Sequence, residues 1–175
     1  VSRDGRLLAG QTGGNKVTLW DLTTKRPMTE LLGLGWIRTM TLSPSGGVLA
    51  VSRAKEGEAP TVEFWDLHSR QLTRTFSPPS PVISLAFSPD GKLLATLNDQ
   101  GSAEVSDRES NRSITNLTAA PIRRGGTGVV VFSPDGNRLA VGADNGWLQV
   151  VNLQSLSNVT VQTIETGTLD GVSAL

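Results

Sequence analysis

Few residues in this sequence could do covalent or acid–base chemistry, and their spacing points away from it. His68 is the single histidine, and there is no cysteine. A Ser–His–Asp arrangement needs a histidine within hydrogen-bond reach of a nucleophile, and His68 sits among turn residues with no distinctive neighbour. One histidine without cysteine cannot supply a zinc site, so neither a metal nor a cofactor is expected. Asp4, Asp90 and Asp135 recur at one position of a repeated phrase, which explains them as turn formers. Gly91-Lys92 lacks the upstream glycine and the Ser/Thr of a phosphate loop. Asn111-Arg-Ser, Asn116-Leu-Thr and Asn158-Val-Thr fit the glycosylation pattern, as chance matches do in a chain rich in Ser, Thr and Asn. The expectation is a protein that is not an enzyme.

The elements that hold these residues are set by one phrase. FSPDGKLLA (Phe87–Ala95) returns as FSPDGNRLA (Phe132–Ala140), LSPSGGVLA (Leu42–Ala50) and VSRDGRLLA (Val1–Ala9). Pro89 presets φ for a tight turn, Asp90 can bond the local backbone, and Gly91 accepts positive φ, so each copy reads as a β-hairpin corner. A second landmark follows each corner: Trp20-Asp21, Trp65-Asp66, Ser106-Asp107 and Val151-Asn152. Ser2 to Trp20, Ser88 to Ser106 and Ser133 to Val151 each span 18 positions, whereas Ser43 to Trp65 spans 22. The unit is thus about 41 residues, lengthened by four in two places, and such a period marks a repeat array.

Within each unit four strands, a to d, are expected. Strand c alternates most clearly: Val17/Leu19, Val62/Phe64, Ala103/Val105 and Leu148/Val150 are apolar, with Thr18, Glu63, Glu104 and Gln149 between them. In strand a, Ile83, Leu85 and Phe87 share one face and Val82, Ser84 and Ala86 the other, a small face suited to a closely packed neighbouring sheet. No window offers a helical stripe, so the chain is read as all-β. The first unit, about residues 1–32, lacks strand a. Units of about 36–76, 81–117 and 127–165 follow, and 170–175 begins a further strand a.

Bulk composition agrees. Sixteen basic and sixteen acidic residues in a chain of 175 remove the footprint of general nucleic-acid or polybasic membrane binding. No apolar run nears the roughly 20 residues needed to cross a bilayer. Nineteen Gly and nine Pro fall largely between the apolar runs, as many short strands require. Opening on Val1 without a signal-peptide pattern, the sequence is expected to be an excised or processed segment, and a cytoplasmic location is expected.

Four strands per unit closed by Trp-Asp, with LSPSG, VEFWDL and FSPDGKLLA, resemble the blades of WD-repeat β-propellers over essentially all of the chain. The resemblance implies a propeller segment of about four blade-equivalents and a non-catalytic module that binds or scaffolds proteins. The chain departs from the family in two respects. Two Trp-Asp pairs are replaced, and His68, in a c–d turn, cannot complete the family's His–Asp–Ser/Thr–Trp network.

The departures nominate a face. Four extra residues lie in the b–c loop at about Arg53–Pro60 and four in the d–a loop at about Thr118–Gly126, loop types that in the family open on one side. Trp36 and Trp147 stand where the blade pattern does not ask for tryptophan, unlike Trp20 and Trp65, which are assigned to packing. Trp36, Arg53, Lys55, Glu56, Arg123, Arg124 and Trp147 are the candidate partner-binding residues, with the composition of an interface hot spot. Because a propeller must close, the chain is expected either to belong to a longer propeller or to pair head to tail into an eight-bladed homodimer. The rival readings are a purely structural, self-assembling piece and, with less in its favour, a propeller enzyme.

Overall fold

The computed structural model describes residues 1–13, 15–32, 35–117, 122 and 126–153 in full, and 118 and 160–165 as backbone. Among these residues there is no helix, and fifteen strands form four antiparallel sheets. The first sheet has three strands, β1 (Leu7–Gln11), β2 (Lys16–Asp21) and β3 (Arg26–Leu32). The second has β4 (Trp36–Leu42), β5 (Val48–Ala54), β6 (Thr61–Asp66) and β7 (Gln71–Phe76). The third has β8 (Val82–Phe87), β9 (Leu93–Asn98), β10 (Ser102–Asp107) and β11 (Ser113–Thr118). The fourth has β12 (Gly128–Phe132), β13 (Arg138–Ala143), β14 (Trp147–Asn152) and β15 (Thr160–Glu165). Strands adjacent in sequence pair side by side, the meander of a propeller blade.

The hairpin corners repeat atom for atom. Ser88 Oγ donates to Asp90 Oδ1 at 2.5 Å and accepts from the Leu93 amide at 2.9 Å, while Asp90 Oδ1 accepts from the Lys92 amide at 3.1 Å. Gly91 has φ +72° and its amide donates to the Ser88 carbonyl, the conformation that favours glycine. Ser2 with Asp4 and Ser133 with Asp135 make the same set. In the second sheet Ser45 replaces the aspartate, and Ser43 Oγ lies 3.2 Å from Ser45 Oγ.

A second turn closes strands c and d. Asp21, Asp66 and Asp107 each accept backbone N–H groups two or three residues on, and the residue four places later (Lys25, Arg70, Asn111) is left-handed. The strand register slips just before these turns, at Leu19/Trp20, Phe64/Trp65 and Val105/Ser106. β14 and β15 pair without a slip, and there the tryptophan position holds Val151.

The chain divides into two compact units, 1–81 and 82–175. In the first, Val17, Leu19, Leu31, Leu49, Val51 and Trp65 form the core. In the second, the core is built on Leu97, Val105, Leu117, Val130, Leu139 and Val141, with others. Here Ser84 and Ala86 of strand a meet the neighbouring strand as expected. The register slips between Val82 and Ser84, however, which takes Val82 out of their alternation and brings Ile83 onto the shared core. The Val130 amide of β12 donates to Ser84 Oγ of β8 at 3.1 Å, and Ala86 packs on the shared core. Burial of the middle strands on both faces follows, so β9 reads buried from Leu94 to Asn98.

Candidate functional site

His68 is exposed in the β6–β7 turn. The acids of the hairpin corners are occupied by their own turns: Ser88, Ser2 and Ser133 hydroxyls, then backbone amides, hold Asp90, Asp4 and Asp135 below the usual carboxylate range. Backbone and hydroxyl donors do the same for Asp21, Asp66 and Asp107. A carboxylate stabilised as the anion and already accepting two or three bonds is a poor proton shuttle. Among the described residues no three His, Cys, Asp or Glu side chains group as a metal site.

The first unit carries the more promising surface. Trp36, the first residue of β4, is 66% exposed. It pairs with Ala54 at the end of β5, from which the chain leaves into the 55–60 loop. Trp36, Arg38, Lys55, Glu56, Glu58 and Pro60 line a groove of about 620 Å³. Lys55 and Glu58 form an exposed ion pair across the loop, which screening makes a weak constraint. A smaller cavity of about 280 Å³ lies on the other side of the loop, with the exposed Leu32 and Leu72 on its wall.

Arg53 differs from its reading as a loop contact. It is the penultimate residue of β5, paired with Ile37 and Thr61, and only 1% exposed. Its Nε donates to Glu63 Oε2 at 2.7 Å, and the Trp65 indole Nε1 donates to the same oxygen at 2.9 Å. Its Nη1 donates to the Asn15 carbonyl at 2.9 Å and lies 3.5 Å from the Gly35 carbonyl. A guanidinium so far from water requires such neutralisation. Arg53, Glu63 and Trp65 therefore form a buried polar staple in the second sheet, where the family's histidine-based network cannot operate. Sequence reasoning missed this set. The available signal was Glu63, an acid two residues before Trp65 on a strand with both faces buried.

Trp147 opens β14 in the second unit. Its amide donates to Asn145 Oδ1 at 3.1 Å, and its half-buried ring packs on that unit's core. Trp65 is buried and Trp20 half-buried, its ring lying against Gly10. The structure thus brings Trp36, Lys55 and Glu56 into one groove and buries Arg53 in β5, on the wall of the smaller cavity. Arg123 and Arg124 lie outside the described residues, as does the expected closing strand at 170–175.

Residues 70–104 match the family described as WD domain, G-beta repeat. That stretch holds β7 and then β8 to β10, so the family's sequence repeat begins one strand ahead of the sheet. The chain is also 29% identical over 121 residues to eukaryotic translation initiation factor 3 subunit I of Lodderomyces elongisporus, covering 67% of this chain and 33% of that one. It is 30% identical over 100 residues to the subunit of the same name in Candida albicans, covering 57% and 27%. Residues 70–104 thus carry a WD repeat, and the chain is similar to WD-repeat proteins. The periodic tryptophan protein 2 homolog of Schizosaccharomyces pombe, 32% identical over 96 residues, is a further WD-repeat relative, with 53% of this chain and 11% of that one aligned. The matches thus cover a third or less of each of these relatives. No helix among the described residues is long and apolar enough to cross a membrane.

Proposed function

We propose that this WD-repeat chain is a non-catalytic protein-binding module that presents b–c and d–a loops to a protein partner. The observation that carries the reading is Trp36, a large aromatic side chain two-thirds exposed at the rim of a groove whose other wall is the 55–60 loop. Tryptophan leads the residue types that anchor interfaces. Lys55 and Glu56 complete the contact set, and Trp147, Arg123 and Arg124 remain part of the proposal. Relatives named as a subunit of a translation initiation factor support a role inside a multi-protein assembly, and a cytoplasmic location is proposed with it.

A photo-crosslinking amino acid at position 56, in the same groove, identifies the partner while leaving Trp36 in place, and the affinity is then measured by calorimetry. Trp36→Ala is expected to weaken binding about 30-fold, corresponding to about 2 kcal/mol for loss of an aromatic anchor. An unchanged dissociation constant overturns the assignment of this face.

The structural, self-assembling reading has one observation in its favour. Among the described residues β1 has a single strand partner, β2, whereas the equivalent strands β5, β9 and β13 have two. A strand supplied by a second copy, in a head-to-tail ring, or by further blades of a longer chain would cover that edge.

A further inference from the structure

We propose that Arg53, although buried, is the positioning residue of the loop face and holds the backbone beneath Trp36 in place. The inference rests on the reading of Trp36 as a partner anchor. Arg53 reaches three segments from one guanidinium: Glu63 on β6, the Asn15 carbonyl just before β2, and the Gly35 carbonyl just before β4. Gly35 is the residue that hands the chain to Trp36. It is left-handed at φ +83°, and a Cβ there would lie 3.0 Å from the Ala54 carbonyl oxygen and 3.2 Å from Lys55 Cβ. Residue 35 is therefore pressed against the root of the 55–60 loop, with the guanidinium close to its carbonyl. On the other side, Trp36 is fixed by its pairing with Ala54.

Stability alone does not account for this arrangement. A buried ion pair is often replaceable by apolar side chains at no net loss, because desolvation offsets the attraction. What an apolar side chain cannot do is bond two backbone carbonyls from separate loops. A lysine would also fail, since its compact ammonium lacks the planar fork that serves Glu63 and the carbonyls together. An exposed tryptophan on a backbone already held still loses less freedom when a partner closes on it. Arg53 acts on binding through Gly35 and Asn15, never by touching the partner.

The test is ¹⁵N relaxation on the whole chain carrying Arg53→Met with Glu63→Gln. This pair removes both charges and leaves Trp65 Nε1 an acceptor. Order parameters for the Asn15, Gly35 and Trp36 amides and the Trp36 indole are expected to fall from about 0.85 to about 0.6 or lower, with β9 and β13 unchanged. A purely structural role would lower the denaturation midpoint without singling out residues 15, 35 and 36. Unchanged order parameters at those positions in the folded variant overturn the proposal. Should that variant not fold, Arg53→Lys, which keeps a cation for Glu63, is expected to show the same local loss. If neither folds, Arg53 is a stability element and the proposal falls. The readout needs no partner, so a failure of Trp36→Ala to weaken binding would remove the functional reading while leaving this one measurable.

Discussion

Ser88 and Asp90 show how much of this molecule is decided by pairs of small polar residues. The hydroxyl donates to the carboxylate and accepts from the Leu93 amide, and the carboxylate accepts from the Lys92 amide, so three hydrogen bonds close one corner. These bonds favour the ionised carboxylate and lower the pKa of Asp90 from its ordinary 3.8, as the Ser2 and Ser133 corners do for Asp4 and Asp135. Asp21, Asp66 and Asp107 are lowered by the same kind of donor in the c–d turns. The unfolded chain, with ordinary carboxylates, binds more protons near pH 4 than the folded one, so stability rises with pH there. The contribution of these six groups is complete above the ordinary pKa and is lost as pH falls through their depressed values. Urea midpoints measured from pH 6 down to pH 2.5 are expected to drop steeply below about pH 4. Asp90→Asn, which cannot titrate, is expected to flatten that slope. An equal slope in the variant would mean that the corner carboxylate is not linked to folding.

Strand a of the fourth sheet, β12, shows how closely elements are packed and where sequence reading stops. Gly128 begins this strand opposite Ala143, and a Cβ there would sit 2.8 Å from Leu97 Cδ2, 3.0 Å from Ile122 Cδ1 and 3.1 Å from the Gly142 carbonyl oxygen. The leucine and isoleucine tips can turn aside, but the carbonyl is held in the β12–β13 ladder. Gly128→Ala is expected to destabilise the fold by about 1–3 kcal/mol, the range for overpacking a filled core, measured as a lowered urea midpoint at unchanged slope. A neutral result would show that β12 can retreat from β9. That this face is tight was legible beforehand, because Ser84 and Ala86 are small and period two places them together, although the slip that removes Val82 from that face was not. The strand c alternation and the hairpin corners were legible for a similar reason: both are local signals, complete within ten residues. Arg53 was not. It opens a charged stretch, RAKEGEAP, that reads as solvated loop, and its burial depends on Glu63 ten positions on and on carbonyls at Asn15 and Gly35. Nothing in the composition of a loop says that its first residue will be drawn into the strand before it. Trp147 was ambiguous for the opposite reason, since an aromatic at a strand start serves a core or a partner equally well, and the ring packs on the core of the second unit.

At the scale of the whole molecule the question is what covers the outer side of β1. The residues of this strand are already half-buried from Leu7 to Gly10, and Leu7 and Ala9 pack on the core of the first unit. Among the described residues no strand lies along its side away from β2, where the Leu7 amide and carbonyl bond Ser2, whereas β4, β8 and β12 close the equivalent edge of the other three sheets. An edge strand with apolar side chains is a template for pairing, and charged or proline residues that would blunt it are absent from LLAGQ. The expected behaviour of the isolated chain is therefore self-association, with the edge strand as one of its contacts. Light scattering coupled to gel filtration is expected to give twice the monomer mass, and the melting temperature is expected to rise with protein concentration, since association stabilises the folded state by mass action. Both readouts matter, because the mass gives the stoichiometry and the melting temperature shows that association is coupled to folding. A cooperative monomer whose melting temperature is independent of concentration would overturn both the ring and the self-assembling reading.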